Sequence, residues 1–240
     1  MVSAQLSKTK KGVDDENHLP ANGWGKPQNT FRGDQMNIQP FETVIHVLGG
    51  LLAYFILALV FYGIWRGTQR KAGRTTGRTG HFLRSFWFYL ASAALFFSIA
   101  YFGWTPLPWT MEGQARLWGL VIGALLYFPG MFFALWARLA LGKNYFVSTG
   151  FGAQLFEDHQ LITHGPFAIV RHPMYAGLIL ASIGALLLYS TWTTLYFALF
   201  APLTLVRARR EEQALSAEFG EQWLDYCKHV PMILPRLRKD

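Results

Sequence analysis

The sequence predicts an all-α, polytopic membrane protein with about five transmembrane helices, and three observations predict it. Five apolar runs follow one another after residue 42, and three of them are 20 to 23 residues long and free of formal charge. Charged residues make up 15% of the 240, against roughly 25% in soluble domains, so too few remain to cover a soluble surface. The basic residues also gather in alternate loops. A single cysteine excludes a disulfide scaffold, and 52% apolar content excludes disorder of the whole chain.

Residues 1–42 are a polar arm with mixed charges and scattered Gly, Pro and Asn, and they have no apolar core of their own. The arm is not a secretory signal, because the first apolar run starts too late and is too long. Runs 43–65, 85–104 and 117–137 then each suffice to cross about 30 Å of hydrocarbon as a helix. Inside lipid every backbone N–H and C=O must be paired locally, so these runs are helices rather than strands. Pro129 removes one helical hydrogen bond and predicts a kink in the third. Runs 174–190 and 192–206 are shorter and read as a helical hairpin that just spans, with Arg171 and Arg207 at its feet and Pro202 bending its second arm. Residues 43–140 thus hold three spans, and 141–240 hold the hairpin, a candidate catalytic region and a C-terminal amphipathic helix.

Charge sets the orientation. The 66–84 loop carries six basic residues and no acid, whereas the 102–114 loop carries no Lys or Arg. The positive-inside rule then puts 66–84, 138–173 and 207–240 in the cytoplasm and the N-terminus and hairpin tip outside. Sixteen of the 22 basic residues fall inside, so the net charge of +8 is a membrane-face stripe and not a nucleic-acid footprint.

Polar residues cluster in the stretch HQLITHGPFAIVRHPMYAG (159–177) and in RARREE (207–212). The hairpin goes out and comes back, so both stretches meet on one side. Gly165-Pro166 signals a turn. Pro173 starts the next helix and presents Arg171 and His172 at its anion-friendly N-terminus. Gly177 allows close approach of a ligand or another helix. Arg207 and Glu211, four apart, share a helix face. Cations, aromatic rings and a carboxylate together suit a zwitterionic ligand that also carries a ribose diol.

The pattern G-P-[YF]-x-x-x-R-H-P-x-Y-x-G, a hairpin, then R-x-x-x-E-E resembles the superfamily of isoprenylcysteine carboxyl methyltransferases and phospholipid methyltransferases. The resemblance covers roughly 141–236, including FGEQWLDY (219–226). It implies an integral membrane enzyme that uses S-adenosyl-L-methionine and methylates a lipophilic or small acceptor, with an isoprenylcysteine-type carboxylate favoured over a phospholipid amine or a thiol. Carried over residue by residue, it assigns the cofactor to Gln154, His159, Gln160, Leu161, Ile162, Gly165, Pro166, Phe167, His172, Pro173, Met174, Tyr175 and Glu211. It assigns catalysis to Arg207, Glu211 and Arg171. Phe167 stands where Tyr is usual, which leaves stacking but no hydroxyl.

Plainer readings apply elsewhere. Arg209 and Arg210 fit topology determinants, and Glu212 fits a solvated face as well as a site. Leu215, Phe219, Trp223 and Tyr226 recur at helical spacing as an apolar face. The histidines lack ligand spacing, so no metal is expected. The aromatic-rich stretch 145–156 is placed to cover the cofactor. The rival reaction class is an NADPH-dependent sterol or steroid reductase, and Met174 and Leu178 argue against it. A scaffold with a degenerate motif is the third reading.

Overall fold

The computed structural model describes residues 38–68, 72–76, 86–109, 111–145, 153–156 and 160–235. Among these, seven α-helices carry the fold: α1 (Gln39–Thr68), α2 (Phe86–Phe102), α3 (Gly113–Leu141), α4 (Pro173–Tyr189), α5 (Trp192–Phe200), α6 (Thr204–Phe219) and α7 (Glu221–His229). The first four coincide with the first four apolar runs to within four residues at either end. α1 and α3 overrun theirs because a helix continues past the first charge, whereas a charge-free run stops there. Both α1 (over Gln39–Gly63) and α3 (over Gly113–Asn144) are long and apolar enough to cross a membrane. α3 runs unbroken through Pro129.

One expectation is corrected. The second hairpin arm, 192–206, is not one helix. α5 ends at Phe200, Ala201–Leu203 is a 3-10 turn, and α6 begins at Thr204. Pro202 sits in that turn, where its missing N–H costs nothing. At 1.5 Å per residue α5 measures about 14 Å, roughly half a hydrocarbon core. The all-α class holds, with a short two-stranded ribbon beside the helices. Strand β1 (Ala72–Thr76) pairs antiparallel with β2 (Ala153–Phe156), with Ala72 opposite Phe156 and Thr76 opposite Ala153 and an irregular register between Ala72 and Thr75. Most of the polar arm lies outside the described residues.

The packing is small inside and large outside. Gly130 of α3 and Gly177 of α4 lie back to back: a Cβ on Gly130 would stand 2.7 Å from the Gly177 carbonyl oxygen and the Ala181 amide. Gly123 and Gly184 repeat the arrangement two turns on, with Gly123's Cβ position 3.1 Å from the Gly184 carbonyl oxygen. Such small residues let backbones touch where no hydrophobic drive between helices exists. The outward faces of α1 and α3 instead expose Leu51, Tyr54, Phe55, Trp118, Leu125 and Phe132. Apolar patches of that extent call for a lipid surround.

The loops sort into two ends. At one, the stretch after α2 bonds the hairpin tip: Leu107 N–H donates to Ser190 O at 2.9 Å, and Thr193 N–H donates to Gly103 O at 2.9 Å. Arg116, in the first turn of α3, donates to Leu187 O at 2.9 Å and Leu188 O at 2.6 Å and pairs with Glu42 of α1. His46 Nε2 also donates to Leu188 O, at 2.8 Å. The last carbonyls of a helix have no partner within it, and these side chains supply one. At the other end, β1 and β2 tie the segment after α1 to the segment after α3.

Candidate functional site

The site forms where α4 starts. Gly165 takes a positive φ of 63° and opens the 3-10 turn Gly165–Ala168, as its pairing with Pro166 predicts. Pro166 and Phe167 are buried in that turn. His172 caps α4 with a non-helical backbone, and Pro173 occupies the first helical position. The backbone N–H groups of Arg171 and His172 donate to Pro231 O at 2.8 Å and Met232 O at 3.0 Å. The tail therefore occupies the two backbone donors that directly precede α4.

The two halves of the motif meet through their side chains. Tyr175 Oη donates to Glu211 Oε1 at 2.5 Å. His172, buried and stacked on Tyr175 with centroids 5.7 Å apart, has Nε2 3.1 Å from Glu212 Oε1 and Nδ1 3.7 Å from Glu211 Oε2. Arg171 Nε lies 3.4 Å from Glu212 Oε1, its Nη1 donates to Cys227 Sγ, and its Cζ sits 5.8 Å over the Trp223 ring. Arg207 Cζ lies 5.7 Å from the Tyr175 centroid. Arg171, His172, Tyr175, Arg207 and Glu211 are thus one cluster, with Glu212 at its centre and not on a solvated face.

The remaining predicted residues distribute around it. Gln160 is exposed, and its backbone N–H donates to the buried Asn144 Oδ1 at 3.1 Å. Leu161 and Ile162 are half-buried beyond it, and Met174 is half-buried in the first turn of α4. Gln154 lies on β2, which packs against α6, the helix that bears Arg207 and Glu211. His159 and most of the 145–156 stretch fall outside the described residues. Gly177 serves the helix contact with Gly130 and Ala134.

The C-terminal amphipathic segment is two helices, broken at Gly220 with φ 50°. Trp223, Tyr226 and Val230 pack with Leu161, Leu215 and Phe219, and Tyr226 Oη donates to Phe167 O at 2.6 Å. That apolar face covers the 161–167 segment. Burial pushes the Tyr226 phenol well above its ordinary range.

Sequence reasoning missed Arg138 and Asn144, and took Tyr145 only as the first residue of the covering stretch 145–156. Arg138 and Asn144 lie at and just past the end of α3, where polar residues directly after an apolar run are the signal that could have found them. Arg138 Cζ stacks 4.0 Å over the Tyr145 ring. Burial pushes the Tyr145 phenol up, while Arg138 and Arg207 pull it down and Glu211 adds to the rise. Among the described residues no group of His, Cys, Asp and Glu has a metal-binding arrangement.

Comparison with known proteins follows the same residues. The sequence model of the phospholipid methyltransferase family matches residues 118–222. The chain is 33% identical over 81 residues to protein-S-isoprenylcysteine O-methyltransferase B of Arabidopsis thaliana, covering 33% of this chain and 41% of that protein. It is 30% identical over 165 residues to methanethiol S-methyltransferase 2 of Bradyrhizobium diazoefficiens, covering 62% and 59%. The chain thus spans about half the length of these relatives. A solved eukaryotic intramembrane Ras methyltransferase aligns with a TM-score of 0.44 at 28% identity, covering 61% of this chain and 50% of that one.

Proposed function

We propose that the chain belongs to the superfamily of isoprenylcysteine carboxyl methyltransferases and phospholipid methyltransferases, and that it is an integral membrane methyltransferase dependent on S-adenosyl-L-methionine; the family match over 118–222 and the methyltransferase relatives support the reading. The observation that carries the reading is the junction of Tyr175 with Glu211 and of His172 with Glu212, which joins the two motif halves at one point. The favoured acceptor is lipophilic and carries an isoprenylcysteine-type carboxylate. The reading includes five spans, with the site and C-terminus cytoplasmic and the N-terminus outside.

The donor set suits the cofactor: carboxylates for a cation, an amide for polar edges, and rings and aliphatic chains for a purine. When bound, S-adenosylmethionine supplies a methyl group on a cationic sulfonium. Gln154, His159, Gln160, Leu161, Ile162, Gly165, Pro166, Phe167, His172, Pro173, Met174, Tyr175 and Glu211 would hold it. Glu211 is fixed by Tyr175, so its charge is pre-aimed. Glu212 locks Arg171 and His172, which gives Arg171 a positioning part. Asn144 fixes the backbone at Gln160. Arg207 orients an anionic acceptor by charge-assisted hydrogen bonds. Trp223 and Tyr226 exclude water from the segment beneath them. The enzyme contributes alignment and shielding, which suffices for a transfer needing no covalent intermediate.

Calorimetry on the detergent-purified chain tests the reading. Binding of S-adenosylmethionine and not of NADPH is expected. Binding of NADPH alone sinks it in favour of a reductase.

A further inference from the structure

Arg138 lies in the last turn of α3, outside both motif halves. Its Nε is buried with no hydrogen-bond partner among the described residues. Among the described residues its Nη2 donates to Leu59 O alone, at a long 3.4 Å. Among the described residues it makes no ion pair, and the Tyr145 ring is what compensates its charge. An ionisable side chain at the end of an apolar span, half-buried and without a carboxylate, is costly unless a ligand completes it.

Its surroundings point to which ligand. Tyr145 is the ring on which Arg138 stacks, and its neighbour Asn144 accepts from the Gln160 N–H at 3.1 Å, so Arg138 stands beside the segment that leads into the site; Arg207 and Glu211 act on the same phenol. α1 makes room for it at Gly63: a Cβ there would collide with Arg138 Nη2 and stand 2.8 Å from the Tyr145 ring. Arg171 engages Glu212, which leaves Arg138 and Arg207 beside the Tyr145 ring with one carboxylate, Glu211, acting on the same ring. An anionic acceptor balances that excess, and an ammonium group adds to it.

We propose that Arg138 is a specificity-determining residue that, with Arg207, receives the negative charge of the methyl acceptor, so that the site takes carboxylates or thiolates and rejects protonated amines. The proposal rests on the methyltransferase reading.

The test uses the full chain in lipid nanodiscs with three probes: N-acetyl-S-farnesylcysteine, methanethiol and phosphatidylethanolamine. Wild type is expected to methylate the carboxylate or the thiol and to leave the amine. Loss of one charge-assisted contact in Arg138→Gln raises the acceptor KM about tenfold or more while kcat and the Kd for S-adenosylmethionine stay within about twofold. Arg138→Lys recovers part of the KM, and Gly63→Ala, which displaces the guanidinium, raises it again. Transfer to phosphatidylethanolamine, an unchanged KM in Arg138→Gln, or a parallel loss of cofactor affinity overturns the proposal. Absence of cofactor binding by wild type is a separate result that removes the methyltransferase reading itself.

Discussion

The Tyr175 hydroxyl donates to the Glu211 carboxylate at 2.5 Å, tying the first turn of α4 to the second turn of α6 across 36 residues of sequence. Hydrogen bonds to charged groups contribute about 1.5–3 kcal/mol. Tyr175→Phe should therefore weaken binding of S-adenosylmethionine by about tenfold in calorimetry, with the ring's packing retained. Glu211→Ala should weaken it at least as much, whereas Arg207→Ala should mainly lower turnover. Wild-type affinity in both Tyr175→Phe and Glu211→Ala would remove Glu211 from the cofactor site.

Gly177→Val places two methyl groups against the Gly130 carbonyl and Ala134. Overpacking of this kind costs about 1–3 kcal/mol, and more where backbone has to move. A lowered melting temperature in detergent is expected, and Gly50→Ala, with nothing within 4 Å of its Cβ position, is the control. Equal melting of the two variants would contradict the tight α3–α4 contact.

Arg116→Leu leaves the Leu187 carbonyl and the Glu42 carboxylate without their shared donor, while Leu188 O keeps its bond from His46 Nε2. Each uncompensated buried group costs about 1–3 kcal/mol. Thermal unfolding should show a clear loss, and adding Glu42→Leu should recover part of it by removing the stranded charge. No recovery in the double variant would mean that the ion pair itself contributes nothing.

Tyr226 makes stability depend on alkaline pH. In the unfolded chain a tyrosine ionises near pH 10. Burial holds the folded phenol neutral beyond that. The unfolded state then binds fewer protons, so this contribution is complete below about pH 10 and is lost as pH rises above it. Melting temperatures between pH 8 and 11 should fall less steeply in Tyr226→Phe, which also loses the bond to Phe167 O. Parallel curves would assign the fall to other groups.

Sidedness can be read with single cysteines in a Cys227→Ser background. Cysteines at Glu112 and Trp192 should react together with an impermeant maleimide from outside, since the loops after α2 and α4 are hydrogen-bonded to each other. A reporter at Asp240 should read cytoplasmic. Labelling of Glu112 and Trp192 from opposite faces would break the five-span arrangement.

The first four helices were legible because hydrocarbon thickness writes itself into run length. The start of α4 was legible because His172-Pro173 restricts the backbone on both sides of the helix boundary. The break at Ala201–Leu203 was half-legible. Pro202 announced a bend, but hydropathy continues evenly across it, and nothing apolar marks a 3-10 turn. The pairing of Ala72–Thr76 with Ala153–Phe156 left no sign, since neither segment alternates and the partners lie about 80 residues apart. Within the site, Arg207 and Glu211 were legible from their spacing. Glu212 was not, because only the rotation of α6 against α4 decides whether the next residue faces His172 or solvent. Arg116 carries no signal of its own in the sequence, because its role depends on carbonyls contributed by another helix.

The back-to-back glycines of α3 and α4 also decide how an acceptor can arrive. Where Gly130 and Gly177 put two backbones in contact, no alkyl chain can slide between them, and this seam is closed along its length to Gly123 and Gly184. On the proposed reading, a lipid-borne acceptor would come in past α1 or past the short α5, with the seam as a fixed wall beside its path toward Arg138 and Arg207.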